Sequence, residues 1–214
     1  MQLEELYRRL LRFYGPQNWW PADTPFEVVV GAILTQNTAW KNVEKAIANL
    51  KREGVLDPET MLRMSDDALR ELIRPAGFYN QKTRRLKAVC RLIVDSGGVE
   101  ELFKLPVDVL RGTLLSVKGI GPETADAIIL YAAGKPTFVI DRYTHRLFVR
   151  LGLWRGGYNY EGIKAFVEGQ LEPSVDTYRE FHALIDEHAK RTCRKTPLCI
   201  SCPLTDLCPK HGVC

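Results

Sequence analysis

The run CRKTPLCISCPLTDLC, Cys193 to Cys208, constrains this chain more than any other feature, because it gathers four of the six cysteines into one short segment. Sulfur placed that densely closes either on itself, as disulfides, or around a common centre. The spacing C-x5-C-x2-C-x5-C and its surroundings bear on the choice. No apolar leader or membrane-length run precedes it; the chain opens on the charged, helical-looking MQLEELYRRLLRFYG, so an intracellular protein is expected. In a reducing compartment clustered thiols are read as metal ligands before disulfides. Four thiolates suit zinc or an iron-sulfur cluster. Structural zinc sites usually pair two short C-x2-4-C motifs across a longer loop. Here only the middle pair is close, and both flanks are five residues long, which suits a wrap around a larger object. A [4Fe-4S] cluster on Cys193, Cys199, Cys202 and Cys208 is therefore the expected cofactor, with zinc as the alternative occupant. Cys90, inside an amphipathic segment, reads as a buried apolar thiol, and Cys214 as an unassigned spare.

Ahead of that run, helix signals dominate. LEELYRRLLRFYG places Leu3, Leu6, Leu10 and Phe13 at helical spacing with Gly15 as a stop, and PFEVVVGAILTQ follows Asp23 and Thr24 as possible caps. Val28 to Val30 could pass for a strand, but no partner strand is nearby. Further short helices are predicted over NVEKAIANLKREG, SDDALRELIRPAG, QKTRRLKAVCRLIVDSGG, PVDVLRGTLLSV, GPETADAIILYAAG, DRYTHRLFVRLGL, YEGIKAFVEGQL and DTYREFHALIDEHAKRTC. The expected fold class is all-α, with short connections and no internal repeat. At 214 residues and 45% hydrophobic, the chain can bury a sizeable core as one domain or two small ones. A net charge of +4 permits a polyanionic partner without demanding one.

The segment LLSVKGIGPETADAIIL, Leu114 to Leu130, has a mechanical meaning. Gly119 and Gly121 flank Ile120 directly before Pro122, a good first-turn residue. Such a turn lets backbone approach a phosphate closely, although it also serves as an ordinary connection between packed helices. About twenty residues later, FVIDRYTHR puts Asp141 after an apolar triplet, where the plain reading is a helix cap. Asn80 with Lys82, Arg84, Arg85 and Lys87, and Arg191, Arg194 and Lys195 around the first clustered cysteine, are candidate phosphate contacts or simply solvated faces. The four histidines show no paired metal spacing and receive no role.

Taken together, KGIGPETADAIILYA, Asp141 in VIDRYTHR and the four-cysteine run resemble the helix-hairpin-helix DNA glycosylases of the endonuclease III superfamily. GAILTQNTAWKNVEKA matches the family's early helix with its Gln-bearing turn, and IRPAGFYNQKTRRLKA its Gly-x-Tyr-Asn-x-Lys segment, so the resemblance covers about residues 26 to 208. It implies a two-lobed helical fold with a DNA groove and base pocket between the lobes. One lobe is a six-helix module over about 24–133 with the hairpin at 114–130; the other is an iron-sulfur domain of 1–23 plus 134–214. It implies that Asp141 is the catalytic aspartate, that Gln36 is the wedge filling the hole left by a flipped base, and that Lys118, Gly119, Gly121, Asn80, Lys82, Arg194 and Lys195 meet DNA. A carboxylate beside C1′ would stabilise the cationic character that develops as the base leaves.

Departures from the family pattern sharpen the expectation. Bifunctional members carry a lysine at the position of Glu123; a carboxylate forms no imine, so strand cleavage by that route is lost. Glu123 is then a second catalytic candidate in the pocket, hydrogen-bonding the base or orienting water, or an acid that complements its helix. GPETADA, RPAGFYNQK and the Trp-Trp-Pro of NWWPAD are similar to the 3-methyladenine branch, in which a cationic purine could stack on indole. Trp19, Trp20 and Trp40 are the candidate pocket aromatics, with stapling of the N-terminal segment as the other reading of Trp19 and Trp20. The cysteine spacing is one residue shorter than the superfamily's usual x6-x2-x5. The expected protein is a monomeric, cytoplasmic, nucleoid-associated glycosylase that acts on double-stranded DNA with a damaged base, has no membrane association, and hydrolyses an alkylated purine. The alternatives are a bifunctional glycosylase/lyase or a hypoxanthine or uracil glycosylase, and, third, a non-catalytic binder of DNA damage.

Overall fold

The computed structural model describes residues 2–213; Met1 and Cys214, the spare thiol, lie outside them. The fold is all-α. In order, the helices are α1 (Leu3–Tyr14), α2 (Pro25–Leu34), α3 (Trp40–Arg52), α4 (Pro58–Arg63), α5 (Asp66–Ile73), α6 (Tyr79–Asp95), α7 (Val99–Lys104), α8 (Val107–Leu115), α9 (Pro122–Ala127), α10 (Arg142–Arg150), α11 (Tyr160–Glu168) and α12 (Val175–Arg191). Short 3₁₀ turns lie at Arg74–Ala76 and Cys199–Ser201, and a π-helical turn at Ile128–Ala132. No described helix is long and apolar enough to cross a membrane. The chain divides into two compact units, Met1–Trp19 with Pro136–Cys214, and Trp20–Lys135.

The central unit, Trp20–Lys135, is built around α2. Thr24 caps it by accepting from the Glu27 amide at 3.1 Å, and Pro25 sits in the first turn, where a missing N–H costs nothing. Asp23 is not the cap; it pairs with Lys51 Nζ at 2.8 Å. Every residue from Phe26 to Leu34 is buried, so the strand-like valine run is a helix covered on all sides, with Glu27 its one acid. Each such Val, Ile or Leu contributes about 1.5–3 kcal/mol relative to exposure. Around α2 are α3, α6, α9 and the π-helical turn. Cys90 is buried in α6, and burial pushes its thiol up to about 12, as suits an inert apolar filler.

In the other unit, α1 and α10 both rest on α12. Leu3, Leu6 and Leu10 of α1 are buried, whereas Phe13, predicted on the same face, is half exposed. Gly15 ends α1 at φ 72°, its amide returning to the Leu11 carbonyl. Phe138 lies edge-on to Tyr178 at 5.4 Å and near Phe181 at 5.7 Å, which anchors the extended segment ahead of α10. Among the described residues that segment has no strand partner. Its peptide groups are bonded by side chains instead: Phe138 N–H donates to Glu168 at 2.7 Å, and the Ile140 carbonyl accepts from the Tyr158 hydroxyl at 3.3 Å.

Candidate active site and cysteine loop

Within the central unit, α8 and α9 are joined by the Gly-Ile-Gly turn. Ile120 is buried and roots it, while Lys118 and Gly119 are exposed. Gly119 adopts φ 95°, and Arg85 of α6 lies across it so closely that a Cβ there would come within 2.5 Å of Nε and 2.8 Å of Cγ. Gly119→Ala is therefore expected to cost about 1–3 kcal/mol through backbone strain alone, before Arg85 is displaced. At about 2–4 °C per kcal/mol for a chain of this size, thermal unfolding would register it; an unchanged Tm would mean that the turn yields freely. Gly121 is half-buried, and Glu123 is the exposed second residue of α9.

Gln36 stands beside this turn. Its Nε2 donates to the Gly119 carbonyl at 3.2 Å and to Thr124 Oγ1 at 2.9 Å, and its Oε1 accepts from Arg85 Nη1. The side chain is thus latched to the hairpin. Asn80 and Arg84 are exposed on α6.

Two basic residues on that helix must be corrected as phosphate contacts. Lys82 has no accessible surface, and its ammonium donates to Leu34 O at 2.8 Å, Thr38 Oγ1 at 2.6 Å and Ala76 O at 2.8 Å. All three of its protons are spent inside the protein, so it reaches no phosphate here. Burial, with the Arg85 guanidinium adding to it, lowers its pKa to about 8. Lys87 is similarly engaged, by Asp66 at 2.8 Å and the Met64 carbonyl at 2.5 Å. Sequence reasoning missed Phe78. It is 61% exposed and held at φ 46°, a left-handed conformation rare for a bulky residue. The signal was in Gly77-Phe78, since a large apolar residue in a turn has no core to enter.

Aromatic side chains gather in the same unit. Trp20 meets Trp40 edge-on at 5.2 Å and Tyr131 at 5.3 Å. Gly31 of α2 makes room for the indole, since a Cβ there would lie 3.1 Å from Trp20 Cζ2. Trp40 opens α3, with its indole N–H on Glu44 at 2.9 Å. Trp19, although next in sequence to Trp20, belongs to the other unit. It lies 5.9 Å from the His182 ring, with Lys190 Nζ 5.5 Å from its own ring centre.

In that other unit Asp141 caps α10: Oδ1 accepts from the Thr144 amide at 2.7 Å and the Thr144 hydroxyl at 2.8 Å. Oδ2 faces His182 Nε2 at 3.9 Å, beyond hydrogen-bond range, and the side chain keeps 17% of its surface. One oxygen is thus committed to the cap, and the other is not. Asp186 of α12 is close enough to feel this carboxylate. Desolvation raises its pKa, and Lys190 opposes the rise.

Cys193, Cys199, Cys202 and Cys208 line one apolar cavity with Leu147, Leu151 and Leu204. All four are free thiols. Backbone N–H groups of Leu204 and Lys210 point at the Cys202 and Cys208 sulfurs, each at 3.4 Å. Arg150, 8% exposed, donates to the Cys193 sulfur at 3.2 Å and to the carbonyls of Cys193, Arg194 and Lys195 at 3.1, 2.7 and 3.1 Å. Arg146 adds a bond to the Cys193 carbonyl at 3.0 Å. The Arg194 and Lys195 side chains are exposed on this clamped backbone. Positive donors aimed at sulfur and carbonyl suit a site that carries thiolate charge, so the donor set fits a thiolate-ligated group. Among the described residues no three His, Cys, Asp or Glu side chains are gathered closely enough to hold a metal ion.

Residues 30–173 match the family described as HhH-GPD superfamily base excision DNA repair protein. A putative DNA repair glycosylase of Methanocaldococcus jannaschii is 52% identical, the match covering 95% of this chain and 94% of that one. Among solved structures, the 3-methyladenine DNA glycosylase of H. pylori bound to 1,N6-ethenoadenine superposes with a TM-score of 0.79 at 30% identity, over 89% of this chain and 98% of that one. A non-covalent endonuclease III–DNA complex gives a TM-score of 0.83 at 22% identity, over 97% and 94%, a likeness of fold.

Proposed function

We propose, for a chain that belongs to the HhH-GPD superfamily of base excision DNA repair proteins and is a DNA glycosylase of that superfamily, that it hydrolyses an alkylated purine from duplex DNA and leaves the strand uncut. The observation that carries the substrate class is the likeness to the H. pylori 3-methyladenine glycosylase over nearly that protein's whole length. The Trp20–Trp40 pair supports it, because indole faces suit a cationic purine and add about 0.5–2 kcal/mol. Asp141 is the carboxylate assigned to the chemistry. With Oδ1 held by the cap, Oδ2 would lie against the positive charge that develops at C1′ and orient the attacking water. Glu123, where a lyase would need an amine, supports hydrolysis rather than strand cleavage.

DNA would be held by Lys118, the Gly119–Gly121 backbone, Asn80 and the exposed Arg194–Lys195 loop, in contacts that weaken steeply with salt. Gln36, once released from the hairpin, and the exposed Phe78 would fill the space that a flipped base leaves. Trp19, beside His182, would serve the surroundings of Asp141. Cys193, Cys199, Cys202 and Cys208 would hold a [4Fe-4S] cluster, with zinc the less favoured occupant. Full cysteine ligation would make it a structural or redox group with no open position for substrate. One copy of the chain inside the cell would suffice.

A single-turnover assay tests the reading on duplexes that carry 3-methyladenine, hypoxanthine, uracil or thymine glycol, each developed with and without alkali. Release of the alkylated purine, with breaks only after alkali, is the expected result. Breaks without alkali, together with an enzyme–DNA imine that borohydride reduces to a stable adduct, would replace it with the bifunctional reading.

A further inference from the structure

We infer that Lys82 is a positioning residue, whose buried ammonium ties the turn that carries Gln36 to the turn that carries Phe78 so that the two present a single edge to DNA. The inference rests on the glycosylase reading and deepens it. Leu34 is the last residue of α2, so its carbonyl is one that the helix cannot satisfy. Ala76 closes the 3₁₀ turn directly before Gly77 and Phe78. Thr38 lies two residues after Gln36, and its hydroxyl, which accepts from Lys82, donates in turn to the Ala76 carbonyl at 2.6 Å. Three acceptors from two separate turns thus converge on one cation whose own side chain has no solvent-accessible surface.

The turns themselves argue that something must hold them. Of their non-glycine residues, Asn37 sits at φ 54° and Phe78 at 46°. Backbone in such conformations persists when its surroundings over-determine it. An apolar side chain at position 82 would pack as well but leave the Leu34 carbonyl without its donor and the Ala76 carbonyl with the Thr38 hydroxyl alone. Arg85, one turn further along α6, grips Gln36 itself. One helix therefore sets both the backbone of the Gln36 turn, through Lys82, and the side chain, through Arg85.

The test uses a duplex with a tetrahydrofuran abasic site, whose binding needs neither a particular lesion nor glycosidic chemistry. Lys82→Met is expected to raise Kd by at least about tenfold, since misplacing contact groups by an ångström is enough for such a loss. It should also blunt the fluorescence change of 2-aminopurine placed beside the site. Thr38→Val, which removes the bridging hydroxyl, is expected to act in the same direction and decides the matter if Lys82→Met fails to fold. Leu102→Ala, a core truncation in α7 of the same unit, controls for stability and is expected to keep wild-type Kd. Wild-type binding by Lys82→Met, or by Thr38→Val where the former does not fold, would overturn the inference, as would an equal loss in Leu102→Ala. A wild-type protein that ignores the duplex would instead overturn the glycosylase reading.

Discussion

Asp141→Asn is expected to melt like the wild type and yet release base roughly 10³-fold more slowly, within the span that a well-placed proton-handling or charge-stabilising group supplies. The two carboxylate oxygens are held differently. Asparagine is as good an N-cap as aspartate, and its carbonyl oxygen can still accept from the Thr144 amide and hydroxyl. What it removes is the negative charge facing His182. Asp141→Ala removes both and should lose about 1 kcal/mol of stability as well, the usual cost of an uncapped helix. Single-turnover cleavage revealed by alkali, read beside thermal melting for the pair, separates the roles. An Asn variant at the wild-type rate would reduce Asp141 to a cap.

Arg150→Met should be the most damaging single change to the cysteine loop, although Arg150 is not a ligand. The guanidinium satisfies three consecutive carbonyls, Cys193 to Lys195, and a sulfur, from a site with almost no solvent access. Methionine fills the volume but donates nothing, so the Arg194 and Lys195 carbonyls lose this donor, the Cys193 carbonyl keeps Arg146, and the Cys193 sulfur loses its positive neighbour. Removing one side of such a buried charged arrangement costs about 3–5 kcal/mol, equivalent to a Tm fall of about 6–20 °C for a chain of this length. For the proposed [4Fe-4S] cluster, iron and sulfide bound per chain should fall in parallel. An unchanged Tm and full iron content would show that the cysteines organise the loop without Arg150.

What could be read in the sequence was local. The periodic helices, the glycine turn before α9 and the capping position of Asp141 all follow from neighbours within a few residues. The six-residue α4 and α7 were missed because so short a segment shows no period, although Asp57-Pro58 is a cap followed by a first-turn proline. Burial was the harder quantity. Lys82 looks like surface charge in QKTRRLK, and only the folded chain brings Leu34, Thr38 and Ala76 around it. Arg150 was invisible for the same reason, since its partners lie more than forty residues downstream. Trp19 and Trp20 read as a pair, yet the boundary between the units runs between them.

The helix that begins with α9 widens at Ile128–Ala132. GPETADAIILYAAG reads as one continuous helix, but the Ala133 amide reaches back five residues to the Ile128 carbonyl. A π turn holds one residue more than its α counterpart, and each residue of a helix advances the side-chain direction by about 100°. Tyr131 meets Trp20 from within this turn. A chain shortened by one residue here could wind as plain α-helix at no loss of hydrogen bonding, but the phenol would swing away from the indole. The aromatic group thus depends on a phase offset in the backbone as much as on the identity of its side chains.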